Sequence, residues 1–81
     1  MEAAIVAGVG PGTGAALARA FAREGYAVGL LSRHAESSDP VAAEIHAKGG
    51  KTLFVATDVT KRPSVNDAVA KIRENFGPIT A

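Results

Sequence analysis

A layered α/β fold around a parallel sheet is predicted by three observations. Short, wholly apolar runs alternate with stretches of helical periodicity, glycine or proline punctuates most junctions, and the apolar runs lack the polar alternation of a half-exposed strand. The order reads β-α-β-α-β-α with the start of a fourth strand. With 81 residues and no linker, repeat or low-complexity stretch, residues 1–81 are read as one segment of a single domain.

The first strand is Ala3–Ala7, apolar throughout and ended by Gly8. A helix from Gly14 to about Glu24 follows, with Leu17 and Phe21 expected on one face, Arg19 and Arg23 on another, and Gly25 in the left-handed position that stops a helix. Tyr26–Leu31 reads as the second strand and the polar run Ser32–Ser38 as a loop. Asp39-Pro40 is a helix-start signal, because Asp caps free amides and Pro is tolerated in the first turn; Val41 and Ile45 then face the core until Gly49-Gly50. Lys51–Ala56 is the third strand and Thr57–Thr60 a loop. In the third helix Val65, Val69, Ile72 and Phe76 share one face, Asp67 and Lys71 can pair on the outer one, and Gly77-Pro78 closes it. Ile79-Thr80-Ala81 opens the fourth strand.

Composition excludes several classes of function. At 47% hydrophobic and 21% charged the chain is not of the disordered type. Nine basic against eight acidic residues leave a net charge of +1, without the cationic excess of a protein that tracks nucleic-acid phosphates. The absence of cysteine excludes disulfides and thiolate zinc sites, and His34 and His46 have no partners at metal-ligand spacing. Met1–Ile5 lacks a basic region and runs quickly into glycine, so no signal peptide or membrane span is expected, and a cytoplasmic setting is.

The chemistry is concentrated in Gly8-Val9-Gly10-Pro11-Gly12-Thr13-Gly14, between the first strand and the first helix. Glycines there let the backbone approach a pyrophosphate without an intervening Cβ, and the helix amino terminus supplies oriented N–H groups with partial positive charge. A tight turn needing glycine only for its dihedrals is the plainer alternative. No lysine follows the last glycine, so a triphosphate-binding loop of the G-x-x-x-x-G-K-[ST] type is excluded. Gly10, Gly12 and Ala15 fit the G-x-G-x-x-A form, but the spacing Gly8-x-x-x-Gly12-x-Gly14 describes the loop better.

With that loop, Asp58-Val59 after the third strand and Phe76-Gly77-Pro78-Ile79 before the fourth, the sequence resembles the short-chain dehydrogenase/reductase family over essentially its whole length. Ala7 and Thr13 stand where the family usually has threonine and isoleucine. The resemblance implies a Rossmann-like sheet of order 3-2-1-4 and a dinucleotide cofactor. It sets Gly8, Gly12 and Gly14 along the pyrophosphate in a cofactor-binding loop that includes Gly10 and Thr13, gives Asp58 a hydrogen bond from the adenine amino group, and sets Val59 against the ring. An Asx turn into the third helix is the alternative role for Asp58.

The end of the second strand carries no carboxylate to bind a ribose 2′-hydroxyl; Ser32 and Arg33 stand there, a hydroxyl and a guanidinium suited to a 2′-phosphate. NADP is therefore expected over NAD. No catalytic residue can be assigned: the sole tyrosine, Tyr26, precedes the second strand with Leu30 four positions on, where the family has a lysine. Two readings follow. In one, the chain is the NADP(H)-binding portion of a short-chain oxidoreductase acting on carbonyl or alcohol substrates, truncated before its catalytic segment. In the other, it is a stand-alone nucleotide-binding or interaction module. Without a full fourth strand, the uncharged edge of Ala3–Ala7 is expected to pair with another copy or with the missing half.

Overall fold

The computed structural model describes residues 2–7 and 13–81, the side chains of residues 13 and 37 excepted. Strands β1 (Ala3–Ala7), β2 (Ala27–Ser32) and β3 (Thr52–Ala56) alternate with helices α1 (Thr13–Arg23), α2 (Ala35–Ala47) and α3 (Arg62–Phe76). The strands form one parallel sheet in the order β1-β2-β3, with Ala3 opposite Ala27 and Ser32 opposite Ala56 at its two ends. This is the Rossmann-like arrangement the sequence predicts.

Alternation along the strands divides the core into two layers. Val6, Val28 and Leu30 pack with Ala15 and Ala18 of α1 and Val41 and Ile45 of α2 on one face. Ala3, Leu31 and Val55 meet Ala68 and Ile72 of α3 on the other. Gly29 lies under α3, where a Cβ would overlap the end of Ile72 and stand 2.9 Å from its Cγ1. The missing side chain is thus a packing requirement, letting α3 settle on the sheet.

α1 ends as expected at Gly25, whose φ of 96° is costly for any residue with a Cβ. Its buried face differs from the expectation: Leu17 is 47% exposed, and small Ala15 and Ala18 face the sheet with Phe21 and Ala22 beside them. Alanine lets the helix axis approach the strands more closely than leucine would, so the core selects the alanine stripe. On α3, Asp67 and Lys71 are both exposed, and among the described residues no ion pair joins them.

α2 requires a larger correction. It begins at Ala35, inside the stretch expected to be a loop, and Pro40 lies within it rather than at its start. Asp39 is consequently not the cap; His34 is, in extended conformation and without a side-chain cap bond. The cause is tertiary, because Ser38 is fully buried and its hydroxyl lies 3.3 Å from that of Ser32.

The fourth strand is present as a strip along the outer edge of β1. Ala3 N–H donates to Pro78 C=O, Thr80 N–H to Ala3 C=O and Ile5 N–H to Ala81 C=O, and the Ala3–Ile79 bridge is parallel. The order is therefore 3-2-1 followed by this strip. Among the described residues no helix is long and apolar enough to cross a membrane.

Candidate functional site

All three strands end at one edge, where Ser32 stands in register with Ala56 and Ala7 with Leu31, one residue before it. β1 ends at this edge and α1 begins at Thr13; Gly8, Gly10 and Gly12 lie outside the described residues. Gly14 falls in the first turn of α1, a turn that contains no acidic residue to offset the positive end of the helix. In an open parallel sheet, the crevice beyond the carboxyl ends of the strands at the point where strand order reverses is where ligands bind.

Past β3 the ladder continues for one more rung, with Thr57 N–H donating to Ser32 C=O at 2.8 Å. This rung brings the segments after β2 and β3 together. As a result Arg33 Nη2 donates to Asp58 Oδ1 at 3.3 Å, between residues distant in sequence. Arg33 is exposed, and so is Val59, at 49%, an apolar side chain presented to solvent beside the carboxylate.

Asp58 is held from several sides. Thr60 donates to Oδ1 through its backbone N–H at 3.0 Å and its hydroxyl at 2.6 Å, which is an Asx turn. Asp58 N–H donates to Ser64 Oγ of α3 at 2.9 Å, and Lys61 N–H donates to the Asp58 carbonyl. The two Thr60 bonds hold the carboxyl below its ordinary pKa, and Arg33 adds to them. Among the described residues Oδ2 receives no hydrogen bond, so one oxygen is committed to the turn and the other can accept from elsewhere.

Ser32 stands apart from its neighbour. It is only 9% exposed, and its hydroxyl donates to His34 C=O at 3.0 Å while facing Ser38 Oγ. The structure therefore brings Arg33, Asp58 and Val59 together at the edge and turns the Ser32 hydroxyl inward. Thr60 closes the Asx turn expected as the alternative role for Asp58, and Ser64 holds its amide from α3. Nothing local marks Ser38.

Tyr26 lies at the opposite edge, its ring edge-on to Phe21 with centroids 5.4 Å apart, which is a packing role. A cleft of about 280 Å³ lined by Arg19, Ala22, Arg23, Glu44, Ile45 and Lys48 is also at that far edge, where α1 and α2 end. There Arg19 Nε and Glu44 Oε2 are 2.6 Å apart, with Lys48 4.0 Å from the other carboxylate oxygen. Among the described residues no cluster of three or more His, Cys, Asp or Glu could hold a metal.

Residues 2–81 match the family described as short chain dehydrogenase. A 2,5-dichloro-2,5-cyclohexadiene-1,4-diol dehydrogenase, LinX, of Sphingobium indicum is 42% identical over 79 residues, which are 98% of this chain and 32% of that protein. Among solved structures, an alcohol dehydrogenase from the archaeon Thermococcus sibiricus complexed with 5-hydroxy-NADP superposes with a TM-score of 0.86 at 35% identity, covering 98% of this chain and 34% of that one. L-Sorbose reductase from Gluconobacter frateurii, complexed with NADPH and L-sorbose, gives 0.81 at 33% identity, covering 93% and 29%. The chain thus spans about a third of the length of these proteins.

Proposed function

Because the chain belongs to the short-chain dehydrogenase family, we propose that its 81 residues form the NADP(H)-binding segment of an oxidoreductase that interconverts carbonyl and alcohol groups, with catalytic residues supplied from outside this segment. The observation that carries the cofactor choice is Arg33. It is an exposed guanidinium at the carboxyl end of β2, where selection for NAD would use a carboxylate. The 5-hydroxy-NADP and NADPH complexes of the two structural neighbours favour the same choice.

In this reading Gly8, Gly12 and Gly14 line the pyrophosphate in the cofactor-binding loop that includes Gly10 and Thr13, and the absence of an acidic residue from the first turn of α1 leaves its positive end available to it. Arg33, with Ser32 behind it, receives the 2′-phosphate. Asp58 Oδ2 accepts from the adenine amino group, and exposed Val59 packs on the ring. When bound, the nicotinamide supplies or accepts the hydride; these residues bind and orient the dinucleotide.

The same reading sets the protein in the cytoplasm and gives β1 a partner along its open edge. Outward-facing groups alternate along a parallel strand, so Ile5 C=O and Ala7 N–H continue the row that Ala3 begins, beyond the Pro78–Ala81 strip. Another copy of the chain, or the rest of the oxidoreductase, completes the row. Sedimentation of the 81-residue chain should be concentration-dependent, and an invariant monomer would remove self-pairing.

Calorimetric titration of the 81-residue chain with NADPH and NADH tests the cofactor reading, alongside Gly12→Val, whose side chain blocks the backbone's approach to pyrophosphate. NADPH should bind more tightly, and the variant should bind neither. A folded chain that ignores both cofactors would make the glycine loop a structural turn.

A further inference from the structure

Ser38 comes from a polar run of the sequence, yet it is completely buried. Its oxygen is 3.3 Å from Ser32 Oγ, and Ser32 Oγ donates to the His34 carbonyl at 3.0 Å. Because α2 begins at Ala35, that same carbonyl is the first acceptor of the helix. The two hydroxyls therefore form a short chain ending on the group where the exit turn of β2 becomes α2. Arg33 is the single residue between the two anchored positions, 32 and 34.

The first turn of α2 has little other local support. His34 offers no side-chain cap, and Pro40 has no N–H to donate to the Glu36 carbonyl one turn back. Asp39, as the residue before a proline, is biased away from helical dihedrals. Local preference alone would cap the helix at Asp39, five residues later than His34. What opposes that preference is the burial of Ser38 against Ser32.

We propose that Ser32 and Ser38 form a buried hydroxyl clasp that holds the first turn of α2 and so fixes the backbone at Arg33, making Ser38 a positioning residue for recognition of the cofactor's 2′-phosphate. The proposal rests on the cofactor reading of Arg33 given above. It makes Ser32 a member of the clasp rather than a direct ligand, in keeping with its inward hydroxyl. The clasp acts on NADPH in particular, because NADH has no phosphate at the position Arg33 would serve.

The test compares the 81-residue wild-type chain with Ser38→Ala, Ser32→Ala, the double variant and Arg33→Ala, by backbone NMR and by titration with NADPH and NADH. In Ser38→Ala the 13Cα shifts of residues 35–39 should lose their helical offset while those of 41–47 keep it. NADPH affinity should fall by about three- to tenfold, the effect of one buried hydrogen bond, and NADH affinity should hold. The double variant should lose no more than either single one, and Ser38→Ala should add nothing in the Arg33→Ala background. Unchanged shifts at 35–39, or equal losses for both cofactors, would overturn the positioning role. Equal weakening of both cofactors by Arg33→Ala alone would instead overturn the cofactor reading and the recognition role with it, while the shifts at 35–39 would still report whether the clasp exists.

Discussion

Arg33 Nη2 and Asp58 Oδ1 face each other at 3.3 Å across the carboxyl edge of the sheet. With the arginine side chain 65% exposed, the pair adds little to stability. Its consequence is local: the guanidinium is kept at the edge beside the carboxylate, and an anion arriving there competes with Asp58 for it.

Arg33→Ala should therefore lower NADPH affinity by roughly ten- to a hundredfold, the range for a charge-assisted hydrogen bond, and leave NADH affinity within about twofold. Calorimetric titration of both cofactors checks this. Equal losses would show that Arg33 contributes no discrimination.

Val59→Asp should weaken both cofactors by a similar factor, on the order of five- to tenfold, since a side chain packed on adenine cannot tell the two apart. Because Val59 is exposed, thermal unfolding should stay within about 0.5 kcal/mol of wild type. A large loss of stability would mean that Val59 belongs to the core.

The Asp58 carboxyl is held below its ordinary value of 3.8, by Thr60 first and by Arg33 after it. A group whose pKa is lower in the folded state stabilises fully above its unfolded value, and that contribution disappears as pH falls through the folded value. Glu44, lowered chiefly by its hydrogen bond from Arg19, acts in the same direction. Urea unfolding at a series of pH values between about 5 and 2.5 should show the stability gap between wild type and Asp58→Asn narrowing toward the acid end. A pH-independent gap would exclude linkage through this carboxyl.

Gly29→Ala should destabilise the fold by about 1–3 kcal/mol, because the new Cβ has no room against Ile72. Ile72→Val alone should cost about 0.5–1.5 kcal/mol. In the double variant the glycine substitution should cost less than it does alone, since the closest Ile72 atom has gone. Simple additivity in denaturant titrations would place the strain elsewhere.

The fold was legible in the sequence wherever a local signal and the tertiary structure agree. The apolar runs became strands within a residue of expectation, and Gly25 and Gly77 bound their helices as read. The start of α2 was not legible, because Asp39-Pro40 is a valid local signal overruled by a buried serine whose partner lies across a turn. Nor could the sequence show that Leu17 faces solvent, a choice made by the space between helix and sheet. At the site, the residue types at the ends of β2 and β3 were readable one by one. Their meeting depends on the register of Ser32 with Ala56 and the extra rung from Thr57, which only the paired strands define.

Every residue of β2 is buried, and the strand has a parallel neighbour on each side. Its amides should consequently exchange with solvent only when the whole domain opens, making it the slowest-exchanging segment of the chain. The turn that carries Arg33 emerges from this strand. A ligand reaching that turn finds backbone already ordered, and the loss of chain entropy occurs when the protein folds rather than when the ligand arrives.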